Sequence, residues 1–161
     1  MVKSKKIIAH IGRFLLIFVI VLGLLMVVPN LFGIQMYNVV TGSMEPQIPV
    51  GSLIGVRYEE PSMLESGQVI TFIHRDSIVT HRVVSNDVSN GELITKGDAN
   101  AQEDMEPVLY NDVIGQVCFH VPILGAIFAQ LSTLNGKIFL LSFAALGALM
   151  NVIGSKKQEE R

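Results

Sequence analysis

QVITFIHRDSIVTHRVVS, residues 68–85, is the stretch from which the fold is read. β-Branched and aromatic residues fill both halves, apolar and polar positions alternate, and Arg75-Asp76-Ser77 breaks the run. A period of two marks half-buried strands, so Gln68–Arg75 and Ser77–Ser85 are expected to form a tight hairpin. The same pattern recurs at Gln35–Val40, Ser52–Tyr58, Glu92–Lys96 and Val113–His120. Turn residues at 65–68 and 89–92 separate neighbouring runs. Roughly 100 residues of short strands with little helix imply a mainly β domain, a small barrel or a folded sheet.

Outward from this domain the composition changes. Half of the chain is hydrophobic and only 16% is charged, and the excess lies at the two ends. Phe14 to Val28 carries no polar side chain; as a helix, 14–34 reaches about 30 Å, enough to cross the hydrocarbon core. A cleaved secretory peptide would have a shorter apolar region and a small-x-small site; neither is present, so an uncleaved anchor is expected. Ile138 to Ile153 is apolar apart from Ser142 and Asn151, between Lys137 and the pair Lys156-Lys157. Flanking lysines snorkel to the interface, so this short run is expected to span as well. The expected map is a cytoplasmic basic tip (1–13), a transmembrane anchor (14–34), an extracytoplasmic β domain (35–121), a membrane-proximal segment (122–136), a second transmembrane helix (137–154) and a cytoplasmic tail (155–161).

Charge sets the orientation. Residues 34–136 contain twelve Asp/Glu and four Lys/Arg, a balance of 12 − 4 = 8 negative charges. Lys3, Lys5, Lys6 and Arg13 precede the first span, and Lys156, Lys157 and Arg161 follow the second. The positive-inside rule places both ends in the cytoplasm and the middle outside, in a multi-pass protein of the cell membrane. An acidic middle argues against nucleic acid as a partner. The single cysteine excludes an intrachain disulfide, no Cys/His spacing fits zinc, and no metal or other cofactor is expected. Cys118, between Val117 and Phe119, reads as a small core hydrophobe.

Three clusters in the β domain carry chemistry. In VVTGSMEPQIPV, residues 39–50, Gly42 permits a bend, Ser43 stands at its corner, and Pro46 and Pro49 stiffen the exit. A corner serine presents its hydroxyl and its own N–H together, as acyl transfer requires. Thr80-His81-Arg82 lies within a strand, and Lys96-Gly97-Asp98-Ala99-Asn100 follows another, with Asp104 six residues beyond Asp98. Serine, histidine and aspartate on rigid elements are the parts of a hydrolase triad. Ser43 needs a base to take its proton; an imidazole with the ordinary pKa of ~6.5 is mostly neutral at pH 7 and serves without deep burial. Asp98 and Asp104 are both candidates to orient His81. Asp104 is favoured, with Asp98 pinning the Gly-Asp-Ala-Asn loop. The Ser43 N–H and the Thr41 hydroxyl are the candidate oxyanion donors.

Ser-Met-Glu-Pro at 43–46, Thr-His-Arg at 80–82 and Gly-Asp-Ala-Asn…Asp at 97–104 resemble the boxes of type I signal peptidases. The likeness is to the branch of the endoplasmic reticulum, archaea and spore-forming Gram-positive bacteria, which uses histidine where the typical bacterial enzyme uses lysine. It runs from the first span to about residue 125. The resemblance implies a signal-peptidase-like β domain between two membrane helices, cleaving signal peptides of exported preproteins after small residues at the outer membrane surface. It implies Ser43 as nucleophile, His81 as general base and Asp98 and Asp104 as the acidic residues. Thr41 stands where typical bacterial members have an oxyanion-hole serine. Signal peptides and membrane lipid are the expected partners, and a secretion translocon is a candidate neighbour.

Anchoring beside the bilayer raises the effective concentration over substrates whose apolar region lies in it. Strand addition would hold the peptide, and small pockets would reject bulky residues. Ile48, Val50, Ile54 and Val40, near Ser43 in sequence, are candidates to line such pockets, but core packing is the expected role of each. Two other readings compete. A Ser/Lys dyad would use Lys96, whose pKa would have to fall several units by burial. A membrane-tethered adaptor in pilus or matrix-fibre assembly would need no catalysis.

Overall fold

The computed structural model describes residues 2–155. Residues 29–129 form one compact unit; residues 2–28, with 130–155, form the other. The first is the β unit: β1 (Ile34–Asn38), β2 (Leu53–Arg57), β3 (Val69–His74), β4 (Ser77–Asp87), β5 (Glu92–Lys96), β6 (Val108–Leu109) and β7 (Val113–Val121). They make one seven-stranded sheet in the order β1-β2-β7-β3-β4-β5-β6, every neighbouring pair antiparallel.

The hairpin expected at 68–85 is β3–β4. His74 pairs with Ser77, and the two residues between them, Arg75 and Asp76, have φ of 47° and 57°. Positive φ at both central positions gives a linkage whose twist matches that of the strands. Alternation then sends β3 side chains to both faces. Ile70 and Phe72 join Leu64, Val83, Leu93, Val108 and Val113 in one core. Val69 packs with Met44, Ile48, Ile54 and Val56 in a second. Burying each such side chain contributes about 1.5–3 kcal/mol, so a slip of one residue in β3 would cost both cores.

Several boundaries differ from the sequence pattern. β1 stops at Asn38, and Val40 and Val50 are 73% and 50% exposed; of the four residues expected to pack in the core, only Ile48 and Ile54 do so. The turn that carries these valines leaves the sheet and turns them to the surface. The two-residue strand β6 has no signal in the sequence, being too short for a period to register. Cys118 is exposed rather than buried. The cause is a bulge: Gly55 pairs with Phe119 and Val56 with Val117, so Cys118 is the extra residue and takes no core position.

α1 (Val2–Leu31) runs through the basic tip and most of the first apolar stretch, with Pro29 inside it. α2 (Leu124–Ser132) occupies part of the segment expected to be membrane-proximal, and α3 (Leu134–Ser155) covers the second apolar stretch. Lys5–Leu31 and Leu134–Ser155 are long and apolar enough to cross a membrane, with mean hydropathies of 2.9 and 2.0. Only 6% of each apolar window is buried, which is not the condition of a soluble core helix.

α1 and α3 pack through small residues. A Cβ on Gly12 would lie 2.6 Å from the Gly147 carbonyl and 2.7 Å from the Asn151 nitrogen, and one on Gly154 would lie 2.7 Å from the Ala9 nitrogen. Higher numbers on one helix meet lower numbers on the other, so the pair is antiparallel. Without side chains in the way the two backbones approach closely. Lys156, Lys157 and Arg161 of the expected basic tail lie outside the described residues.

Candidate active site

Ser43 is held in place by the residues C-terminal to it. Met44 and Ile48 are 1% and 2% exposed and drive the turn into the second core. The turn closes through Glu45 N–H to the Gly42 carbonyl (3.0 Å) and Ile48 N–H to the Met44 carbonyl (2.8 Å). Gly42 itself has no positive φ, and a Cβ there would touch only the Glu45 side chain, at 3.4 Å. The bend therefore does not require glycine.

The loop after β5 meets this turn. Ala99 N–H donates to the Ser43 carbonyl at 2.8 Å, and a Cβ on Gly97 would come within 2.7 Å of the same oxygen. Gly97 is thus the residue that allows close approach. Lys96 pairs with Arg82 in the β4–β5 register, so the loop that grips Ser43 starts beside the strand position of His81.

His81 sits on the inward face of β4, 8% exposed, with the Phe72 ring edge-on at 6.1 Å. Its Nδ1 lies 2.6 Å from Asp104 Oδ2. That oxygen also accepts from Thr95 Oγ1 at 2.7 Å, and Asp104 N–H donates to the Thr95 carbonyl at 2.9 Å. Asp98 turns elsewhere. Arg82 Nε and Nη2 donate to its two oxygens at 2.8 and 2.7 Å, while Arg82 Nη1 reaches the Gly67 carbonyl at 2.6 Å. The Asp98 hydrogen bond raises the Arg82 pKa further above its ordinary value, against the opposing effect of partial burial. Asp98 and Arg82 thereby brace the base of the loop.

Thr41 is exposed two residues before Ser43. Among the described residues no hydrogen bond reaches the Ser43 hydroxyl or N–H, and none joins Ser43 to His81. With Nδ1 engaged by Asp104, it is Nε2 of His81 that remains for a second partner. Lys96 projects from β5 on the face opposite Thr95, the residue that reaches the His81–Asp104 pair.

A cleft of about 360 Å³ opens beside the imidazole, walled by Phe72, Val79 and Met105 and containing both His81 and Asp104. Its lining also includes Glu106, paired with Arg75 and 3.8 Å from His74 Nε2. Among the described residues no group of three or more His, Cys, Asp or Glu side chains is placed to hold a metal ion. Three features of the site have no signal in the sequence: Thr95, the Gly97 approach and this cleft. All of them arise from tertiary contacts of the loop that follows β5, not from a local pattern.

No protein-family model matches the chain. It is 36% identical over 124 residues to signal peptidase I W of Bacillus subtilis (strain 168), across 69% of this chain and 65% of that protein. It is 30% identical over 129 residues to the signal peptidase complex catalytic subunit SEC11 of Zygosaccharomyces rouxii, across 70% of this chain and 75% of that one. The corresponding subunit of Aspergillus oryzae is 29% identical over 124 residues, across 58% and 63%. The chain thus spans just under two thirds of the length of the Bacillus protein.

Proposed function

The chain belongs to the type I signal peptidase family, and on that premise we propose that it is a membrane-bound serine endopeptidase. Its substrates are the signal peptides of exported preproteins, cut after small residues. Ser43 Oγ attacks the scissile carbonyl while His81 Nε2 takes its proton. Asp104 at Nδ1 fixes the tautomer and stabilises the imidazolium. The Ser43 N–H and the Thr41 hydroxyl face the developing oxyanion, each such donor supplying about 10²–10³ in rate. His81 then returns the proton to the leaving amine. Water, deprotonated by the same imidazole, releases the acyl group and restores Ser43. Asp98 serves the site through Arg82 by bracing the loop.

The observation that supports this reading is a convergence. The loop beginning at Gly97 grips the Ser43 turn and ends at Asp104, the residue that holds His81. One loop thus sets the position of both groups.

Cleavage of a precursor with an Ala-x-Ala site, in detergent or liposomes, tests it. Ser43→Ala and His81→Ala should each abolish product; full activity in either would overturn the reading. Rescue of a deletion strain by Ser43→Ala would instead assign the chain to an assembly adaptor.

In the membrane, we place the N-terminal end of α1 and the C-terminal end of α3 in the cytoplasm and the β unit outside, next to emerging precursors, with a secretion translocon as a candidate neighbour. The antiparallel contact of α1 with α3 supports a two-span hairpin. Cys118 is exposed and is the only cysteine, so a membrane-impermeant maleimide should label intact cells. Labelling only after lysis would reverse the orientation.

A further inference from the structure

Four polar residues of the β unit are fully or nearly buried: Ser52, Thr71, His81 and Thr95. Each has a partner, as buried polar groups require. Ser52 Oγ donates to the Pro49 carbonyl at 2.6 Å, and Thr71 shares a 3.0 Å bond with Thr80. The other two converge on one atom, Asp104 Oδ2, at 2.6 Å from His81 and 2.7 Å from Thr95. Thr95 is wholly inaccessible and follows Leu93 on the inward face of β5, where full burial favours an aliphatic side chain.

We propose that Thr95 is a positioning residue for the hydrolysis described above: it fixes the Asp104 carboxylate so that His81 is held in its reacting orientation. Asp104 lies on a loop after β5, and its side chain is 23% exposed. A single hydrogen bond from His81 would leave that carboxylate free to swing about its own axis. Thr95 removes the freedom at two points, the hydroxyl on Oδ2 and the backbone carbonyl on the Asp104 N–H (2.9 Å). A carboxylate only accepts, so the Thr95 hydroxyl is the donor. Its own χ1 is restricted by β-branching and by complete burial, so the donor cannot follow a moving carboxylate. Among the described residues no hydrogen bond joins Thr95 to Ser43, and Thr95 does not line the cleft; it acts through Asp104. The titratable and charged groups that share the cleft with the imidazole are His74 and Arg75 from the hairpin and Asp104 and Glu106 from the loop. Of these, only Asp104 is tied to Thr95.

This inference rests on the peptidase reading, and its test is arranged to separate the two. In the full chain in detergent, Thr95→Val removes the hydroxyl with little change of volume, whereas Thr95→Ser keeps it. A charged hydrogen bond lost to the transition state predicts a fall in kcat of about ten- to a hundredfold for Thr95→Val, with KM unchanged. Thr95→Ser should stay near wild type. In an Asp104→Asn background the Thr95→Val effect should vanish, since the two act as one unit. The low-field proton NMR signal of the His81 Nδ1–H should be shifted or lost in Thr95→Val and retained in Thr95→Ser. That measurement needs no substrate, so it reads the clamp even if the chain cleaves nothing. An unchanged signal and an unchanged kcat in Thr95→Val would overturn the proposal, as would an equal loss of kcat in the Asp104→Asn background.

Discussion

The Ala99 amide donates a 2.8 Å hydrogen bond to the Ser43 carbonyl, and this contact joins the serine turn to the loop that carries both aspartates. Gly97 makes the contact sterically allowed, because a Cβ there would press on the same carbonyl at 2.7 Å. That atom is backbone and cannot rotate away. Gly97→Ala should therefore displace the Ser43 turn and cost about 10²-fold in cleavage rate, as misplacement on the ångström scale does. Kinetics of the variant beside its melting curve check this; wild-type turnover would show that the turn is held by other means.

The two aspartates should separate cleanly. Asp104→Asn keeps the shape but alters what is offered to His81 Nδ1, so cleavage should fall by a factor on the order of 10³–10⁴. Asp98→Asn weakens the bidentate bridge to Arg82, whose side chains are 33% and 18% exposed. Solvent screening limits that pair to about 1–2 kcal/mol of stability. Its catalytic loss should be the smaller of the two. Equal losses in both variants, read by precursor cleavage and thermal melts together, would contradict this division of labour.

Met44 anchors the turn from below. At 1% exposure beside Ile48, Ile54 and Val56, its truncation leaves a cavity in the second core. Met44→Ala should cost about 2–5 kcal/mol. It should also slow cleavage, because Ser43 loses its nearest fixed neighbour. Denaturant titration in detergent gives the first quantity, and a wild-type midpoint would mean the core closes without Met44.

Acid should act on the β4–β5 turn. Asp87 accepts from Ser89 Oγ at 2.5 Å, Asn90 Nδ2 at 2.8 Å and the Ser89 and Asn90 N–H groups at 3.1 and 3.2 Å. These bonds, the Ser89 side chain foremost, lower its pKa below the ordinary carboxylate value. A depressed folded-state pKa means the stabilisation is complete above the unfolded value and is lost as pH falls through the folded one. Asp87→Ala should thus melt earlier than wild type at neutral pH, and the gap should close on acidification through the carboxylate range. A gap independent of pH would assign the effect to the turn's shape.

The close packing of α1 and α3 gives a further expectation. Gly12→Leu would drive a side chain into the Gly147 carbonyl and the Asn151 nitrogen, and should part the helices. Protease sensitivity of the chain in liposomes should rise; unchanged protection would show that the contact carries no weight.

By itself the sequence determined the strand hairpin at 68–85, the apolar ends and the residue types Ser43, His81, Asp98 and Asp104. Periodicity and turn chemistry are local properties, legible wherever the run is long enough. Which carboxylate meets the imidazole was decided by tertiary structure. The pairing of Arg82 with Lys96 puts Asp98 within reach of the guanidinium, and the return of Asp104 to the Thr95 carbonyl brings its side chain to His81. The exposed Cys118 has the same kind of origin, a bulge set by the partner strand. Register and loop closure depend on residues far apart in the chain, and neither leaves a mark in the local pattern of any one strand.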